Sequence, residues 1–377
     1  MIRFNKPYIS GKEIIYIQDA INRRELSGDG HYTKACSSFF SNKLKLPCFL
    51  TNSGTDALEM AAILANISVG DEIIMPSFTF VSTANAFILR GAIIKFADSK
   101  YNSPNIDEDL IEELITSKTK AIVVVHYGGI ACNMDKIMNI ANKYNILVIE
   151  DAAHAIDAKY KNRPLGTIGH FGAFSFHASK NIIAGEGGML CVKDPNKIKR
   201  AEIIREKGTN RTSFFRGEID KYGWVDIGSS FLPSEITAAF LFAQLESLDY
   251  IQQKRLAIWN MYNLALKKIE SYGFELPYLP EYATNNAHVF YLICPSLEVR
   301  TNLISYLSDN NIKVVFHYQS LNESEFYKNL ETLSFNKQLV NSNKYSDRLI
   351  RLPLFPDLNE DQVNYICNHI LQFVAKN

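Results

Sequence analysis

Phe171-Gly-Ala-Phe-Ser-Phe-His-Ala-Ser-Lys-Asn181, followed by Ile182-Ile-Ala-Gly-Glu-Gly-Gly188, is the stretch on which the reading of this chain turns. It sets one lysine, Lys180, between an apolar, aromatic, strand-like run and a cluster of glycines. Burial beside Phe171, Phe174 and Phe176 would lower the pKa of an ammonium, because desolvation penalises the charged form. A neutral amine is what condensation with a carbonyl requires. The alternative is a lysine whose stem packs under the aromatics while its head reaches water. The neighbouring strand exits decide between the two.

Upstream the chain alternates. Strand-like runs at 47–51, 72–75, 93–97, 121–125 and 146–149 are separated by helical patterns at 54–67, 82–90, 107–116 and 135–144. Two further helices are expected over 11–24 and 31–45. After Lys180 come a strand at 189–192, a helix at 196–207, an arginine-containing loop at 208–216 and a long helical region over 234–271. Strands that are apolar on both faces and alternate with helices predict an α/β fold with a mainly parallel central sheet between helices. Short elements after Gly273–Pro280, including strands at 289–294 and 313–316, predict a smaller C-terminal α/β domain. The division expected is 1–250 for the large domain, N-terminal helices included, and 251–377 for the small one.

Composition narrows the function classes. Of 377 residues 47% are hydrophobic and 21% charged, an ordinary globular balance. Forty Lys and Arg offset forty Asp and Glu, so nothing draws the chain as a whole to nucleic acid or an anionic membrane. Six scattered cysteines without a Cys-x-x-Cys pair predict free thiols rather than a disulfide framework or a metal site. The opening residues lack the apolar segment of a signal peptide, and no apolar run suffices to span a bilayer. The expectation is a cytoplasmic protein.

Ligands of open parallel sheets collect at the carboxyl ends of the strands. The first exit reads Thr51-Asn-Ser-Gly-Thr55. Its N–H groups, the Ser53 and Thr55 hydroxyls and the helix dipole suit an anion, with Gly54 allowing close approach; an ordinary N-cap is the alternative. The second, Met75-Pro-Ser-Phe-Thr-Phe80, offers aromatics that either stack on a flat ring or belong to the core. The third, Ile149-Glu-Asp-Ala-Ala-His154, ends an apolar strand in two carboxylates and a histidine. Asp151 needs a cation, either an Arg or Lys or a protonated ring nitrogen. With Ser175 as a further hydroxyl and Lys180 as the amine, these parts match the inventory of pyridoxal 5'-phosphate (PLP): phosphate, flat ring, pyridinium nitrogen and aldehyde.

The motifs Thr51-Asn-Ser-Gly-Thr-Asp-Ala-Leu58, Met75-Pro-Ser-Phe-Thr-Phe-Val-Ser-Thr83, Val125-His-Tyr-Gly-Gly129, Glu150-Asp-Ala-Ala-His154, Phe174-Ser-Phe-His-Ala-Ser-Lys-Asn181, Gly185-Glu-Gly-Gly188 and Arg351-Leu-Pro-Leu-Phe-Pro356 occur in the order found in sugar-nucleotide aminotransferases of the DegT type. The chain resembles that PLP-dependent family, of the aspartate aminotransferase fold, over nearly its whole length. The resemblance implies Lys180 as the lysine joined to the cofactor aldehyde and Asp151 as partner of the ring nitrogen. It further implies Phe80 stacked on the ring, His154 near it, and Gly54, Thr55 and Ser175 at the phosphate. The pyridoxamine form (PMP) is the implied carrier of the amino group between half-reactions.

A narrower likeness lies in Ala84-Asn-Ala-Phe-Ile-Leu-Arg-Gly-Ala92, Arg205-Glu-Lys-Gly-Thr-Asn-Arg211 and Asp226-Ile-Gly-Ser-Ser230. It is similar to the branch that aminates C4 of dTDP-4-keto-6-deoxyglucose with L-glutamate, giving dTDP-4-amino-4,6-dideoxygalactose for surface glycans such as O-antigen and enterobacterial common antigen. Amination at C3 of a dTDP-3-keto-6-deoxyhexose is the rival, and a non-catalytic ligand-binding protein on the same fold the rival from another class. Arg211, with Arg205 and Arg216, is expected at the substrate diphosphate or simply in solvent. His317 is expected in the site or as a structural histidine. The family implies a homodimer in which a residue crosses to the neighbouring cofactor phosphate. Leu232 stands where many members have Asn or Arg, so Ser229 or Ser230 is expected to substitute, while Glu235, where Asp is usual, is expected to be structural.

Overall fold

The computed structural model describes residues 1–330 and 338–376. Its centre is a seven-stranded sheet of β1 (Cys48–Thr51), β2 (Glu72–Pro76), β3 (Ile93–Ala97), β4 (Thr119–Val125), β5 (Leu147–Asp151), β6 (Phe171–Ser175) and β7 (Gly188–Val192), in the order β1-β7-β6-β5-β4-β2-β3. The five strands from β6 to β3 run parallel, whereas β7 is antiparallel to both β6 and β1. The reversal at β7 follows from its connection: β6 returns through the Lys180 loop without a crossover helix, which only an antiparallel neighbour permits.

Side chains alternate across the strands and feed two cores. Ile74, Ile122, Val124, Val148 and Phe174 point to one. There they meet α1 (Glu13–Arg23), α2 (His31–Leu44) and α5 (Met134–Tyr144), with α8 (Glu235–Leu245) packed on α1 and α2. Ile73, Met75, Val123, Ile149 and Leu190 point to the other. It holds α3 (Gly54–Leu64), α4 (Val81–Ile88) and α6 (Ile198–Arg205). Ile122, Val123 and Val124 are wholly buried, each contributing roughly 1.5–3 kcal/mol. Glu235 is indeed structural: its carboxylate accepts from the N–H groups of Gly30, Tyr32 and Thr33 at 3.1, 2.7 and 3.0 Å, tying α8 to the start of α2.

A third core gathers Ile258, Tyr262, Phe290, Leu303, Ile350 and Ile366. It is built from α9 (Leu248–Leu266), the helices Leu297–Asp309 and Glu360–Lys376, and an antiparallel pair, β8 (Tyr291–Ile293) and β9 (Leu349–Arg351). This is the smaller C-terminal α/β unit expected.

Several local expectations are corrected. Residues 107–116 are two 3-10 turns, Glu108–Leu110 and Glu112–Leu114, rather than an α-helix. Buried Ile111 and Leu114 are three apart, the spacing that eclipses on a 3-10 helix. The long helix over 234–271 breaks at Glu246–Ser247 into α8 and α9 and ends as a 3-10 turn at Lys267–Tyr272. No strand forms at 313–316, where Val315 makes a single bridge to Arg351. The 208–216 loop contains a short helix, α7 (Arg211–Phe215).

Candidate active site

The exits of β1, β2, β4, β5 and β6 open on one cavity of about 640 Å³. Ser53, Gly54, Thr55, Phe80, Asp151, His154, Ser175, Lys180 and His317 all line it. Residues up to 264 positions apart in sequence thus meet in one space, because parallel strands deliver every carboxyl end to the same edge of the sheet.

Lys180 sits on the loop from β6 to β7, pinned where Phe176 N–H donates to Gly187 O at 2.7 Å and Ala178 N–H to Gly185 O at 2.9 Å. Gly185, at φ +79°, allows the reversal. Burial pulls the Lys180 amine down to about 8; Asp151 opposes that fall and Arg351 adds to it. Asp151 is itself buried and held on both oxygens. Thr83 Oγ1 donates to Oδ2 at 2.7 Å and Ala153 N–H to Oδ1 at 3.1 Å. No lysine or arginine forms an ion pair with it among the described residues, so the structural-salt-bridge alternative does not hold.

Its neighbour Glu150 has another task. Burial raises the Glu150 carboxyl, but a 2.9 Å hydrogen bond with His126 and N–H groups of Gly166 and Gly169 outweigh it and hold the group below its usual range. Of the two carboxylates at the exit, only Asp151 faces the cavity.

At the first exit the cap and the anion readings divide between side chain and main chain. Ser53 Oγ accepts from Asp56 N–H at 3.0 Å and donates to Asp56 Oδ1 at 2.9 Å. The hydroxyl thus serves the N-cap, while Ser53 also lines the cavity. The N–H groups of Gly54 and Thr55, in the first turn of α3, have no intrahelical acceptor and remain for an anion. A Cβ on Gly54 would lie 2.9 Å from Ser175 Cβ, so only glycine lets the helix start this close to the Ser175 hydroxyl. Thr55 Oγ1 and Ser82 Oγ share a 2.7 Å hydrogen bond beside them.

The two aromatics of the second exit also separate. Phe78 is fully buried among Tyr127, Tyr318 and Tyr345, whereas Phe80 is 54% exposed at the cavity.

The wall opposite the sheet is a ladder of rings. His154 stacks on His288 at 4.1 Å, and His317 on Tyr318 at 3.6 Å. His154 Nδ1 accepts from Gly128 N–H at 3.2 Å, placing the proton of the neutral ring on Nε2, 3.2 Å from the Tyr318 hydroxyl. Burial, then the charges of Lys180 and Arg351, holds His154 well below the ordinary histidine range. His317 is lowered likewise, by burial first, and Nδ1 pairs with Tyr127 Oη at 2.6 Å.

Two expected residues stay outside this cavity. Arg211 lies on α7, 3.8 Å from Glu206 and over the Phe215 ring at 5.0 Å. Ser230 is exposed, its carbonyl accepting from Asn52 Nδ2 at 2.8 Å. Arg205 pairs with Asp29, and Arg216 with Glu202 and Glu218; neither lines this cavity. Conversely, sequence reasoning gave no role to Thr83, His288, Tyr318, Arg255 or Arg351. Thr83 and Arg351 did stand inside recognisable motifs, at the end of Val81-Ser-Thr83 and the start of Arg351-Leu-Pro.

The residues present fit PLP: a helix start with free N–H groups and a serine, an exposed aromatic, a buried carboxylate without a cation, and an amine softened by burial. The DegT/DnrJ/EryC1/StrS aminotransferase family profile matches residues 7–371. The chain is 30% identical to the GDP-perosamine synthase of Escherichia coli O157:H7, over 98% of both chains. It is 32% identical to the spore coat polysaccharide biosynthesis protein SpsC of Bacillus subtilis, over 86% of this chain and 84% of that one. Among solved structures, an aminotransferase from Psychrobacter cryohalolentis superposes with a TM-score of 0.92 at 25% identity, covering 99% of each chain. A sugar-aminotransferase candidate from Streptococcus pneumoniae, solved with PMP, gives 0.91 at 26%, covering all of both. The chain belongs to the DegT/DnrJ/EryC1/StrS aminotransferase family, PLP-dependent enzymes of sugar-nucleotide transamination.

Proposed function

We propose that the protein moves an amino group from L-glutamate to the 4-keto carbon of dTDP-4-keto-6-deoxyglucose, giving dTDP-4-amino-4,6-dideoxygalactose and 2-oxoglutarate. The observation that carries the reading is a softened amine, Lys180, sharing one cavity with a buried carboxylate, Asp151, that forms no ion pair among the described residues. A relative from Shewanella sediminis, 31% identical over 86% of this chain and 85% of that one, is named UDP-4-amino-4-deoxy-L-arabinose–oxoglutarate aminotransferase. Its name supports C4 chemistry and the glutamate–oxoglutarate pair; the dTDP group rests on the narrower motifs around Ala84–Ala92 and Arg205–Arg211.

PLP, when bound, supplies an aldehyde for the amino group and a ring that accepts electrons from the bond to the donor α-carbon. Asp151, fixed by Thr83 and Ala153, would hold a proton on the ring nitrogen. Lys180 Nζ would act as the base that takes the proton of the donor α-carbon and, in the second half-reaction, as the acid that returns one to the sugar carbon. Gly54 and Thr55 N–H groups and the Ser175 hydroxyl would hold the phosphate, with Phe80 and neutral His154 positioned to hold the ring. His317 meets the sugar. Residues 1–250 form the cofactor side of the cavity in this reading and 251–377 most of the opposite wall, as the separate third core from Ile258 onward supports.

A second copy of the chain completes the site. Phe215, Trp224, Val225 and Ile227 are 68, 84, 54 and 45% exposed, on a segment that continues to the Ser230–Asn52 contact beside α3. So much exposed apolar surface supports an interface there. In the dimer Arg211 and Ser230 serve the partner's substrate and phosphate. The test is incubation with L-glutamate and dTDP-4-keto-6-deoxyglucose and NMR of the product. Nitrogen on C4 is expected; nitrogen on C3, or turnover only with UDP- or GDP-sugars, overturns the assignment.

A further inference from the structure

Residues 2–10 precede the first helix, and two of them, Phe4 and Asn5, line the cavity. The segment touches both walls. Toward the C-terminal unit, Ile2 N–H donates to Asn311 O at 2.7 Å and Lys313 N–H to Ile2 O at 3.0 Å, while Lys6 pairs with Asp357 at 2.7 Å. The Phe4 ring lies 4.8 Å from the guanidinium centre of Arg351, whose Nε is buried without an acceptor. Toward the sheet, Asn5 Nδ2 donates to Ala178 O at 3.2 Å, on the loop that carries Lys180.

The carbonyl that Asn5 holds belongs to a particular peptide. Lys180 N–H donates to His177 O at 2.9 Å, closing a β-turn with Ala178 and Ser179 at its centre. Turns of types I and II differ by a flip of their central peptide, here the unit of Ala178 C=O and Ser179 N–H. No residue of this turn has a positive φ, which excludes type II, where Ser179 would need one. Side chains tie both ends of that peptide. Ser179 N–H donates to His177 Nδ1 at 3.2 Å, and Ala178 O receives Asn5 Nδ2. No other hydrogen bond reaches Ala178 O among the described residues. A carbonyl can only accept, so the Asn5 amide turns its nitrogen to Ala178 and its oxygen away. Lys180 ends this turn, so a rotation of the central peptide re-aims its amine relative to Asp151.

We propose that Asn5 is a positioning residue for the transamination: by holding the Ala178 carbonyl it fixes the turn that aims Lys180, and through residues 2–6 it ties that turn to the C-terminal unit. The proposal rests on the reading of Lys180 given above. A misplacement of about 1 Å at a reacting group costs on the order of a hundredfold. Loss of one tie from a turn that keeps its two others costs less, about tenfold.

The test compares Asn5→Leu, which keeps a similar shape without a donor, with Asn5→Gln, which keeps an amide donor. Asn5 is half-buried on an irregular segment, so neither variant is expected to unfold the chain. In the PLP-loaded protein each half-reaction is followed by the absorbance of the bound cofactor. Asn5→Leu is expected to slow both half-reactions about tenfold, because Lys180 serves both, with the KM of glutamate and of the keto-sugar within about twofold of wild type. Asn5→Gln recovers most of the rate. In the cofactor-free protein, hydrogen exchange of a peptide spanning residues 176–184 is expected to quicken about fivefold in Asn5→Leu, with the unfolding midpoint unchanged. An unchanged rate, an equal loss in both variants, a rise in KM without loss of rate, or unaltered exchange in the 176–184 peptide each overturns the proposal. Failure of borohydride to fix PLP on Lys180 in the wild-type protein overturns the parent reading instead, and shows before any variant is made.

Discussion

The two walls of the cavity are built by different means. On the sheet side the polar groups are fixed by short hydrogen-bonded devices at the strand exits: Ser53 by its own cap, Asp151 by Thr83 and Ala153, Lys180 by the turn closed at Gly185. On the far side stacked rings and a guanidinium with an unpaired donor carry the surface. A rigid wall suits a resident cofactor that must be held in one pose. A wall of stacked rings offers flat apolar faces to a donor and a nucleotide sugar that take turns in the same space.

The contrast is broken first at Lys180. Lys180→Ala is expected to abolish turnover, at least a thousandfold, while cofactor still binds without a covalent link; steady-state assay and absorbance of the dialysed protein measure both. Asp151→Asn removes the charge proposed to keep the ring nitrogen protonated and should slow both half-reactions on the order of a hundredfold, read by stopped-flow. Gly54→Ala drives a Cβ against Ser175. Overpacking of this sort costs about 1–3 kcal/mol, so PLP affinity should fall about tenfold or more, seen by titration, with glutamate KM little changed.

The pH dependence sharpens the same point. Capture of PLP needs the neutral amine, and burial lowers Lys180 to about 8. The loading rate should therefore climb about tenfold per pH unit below about pH 8 and flatten above it. An unshifted lysine would keep climbing toward pH 10. The smallest effect belongs to the cap: Ser53→Ala should lower unfolding stability by about 1 kcal/mol, measured by denaturant titration, since its hydroxyl serves Asp56.

The sheet-side wall was legible in the sequence for a physical reason. A parallel sheet converts a list of strand exits into one edge, so Ser53-Gly-Thr55, Asp151 and Lys180 could be brought together without knowing the long-range packing. The far wall was not legible in this way. His288, Tyr318 and Arg351 reach the cavity only through long-range packing of the C-terminal unit against the sheet edge, and nothing local to them encodes it. Glu150 and Asp151 could not be told apart by sequence either; only the pleat and the His126 contact separate the structural carboxylate from the one in the cavity. Residues 107–116 failed for a simpler reason: an acidic start and several apolar residues suit a 3-10 turn as well as an α-helix when the segment is short.

The central claim is that Lys180 is the amine that meets the cofactor aldehyde. Borohydride reduction of the PLP-loaded protein, digestion and mass spectrometry test it most directly. A phosphopyridoxyl group on the Lys180 peptide alone is predicted; a label on another lysine, or none on fully reconstituted protein, contradicts it.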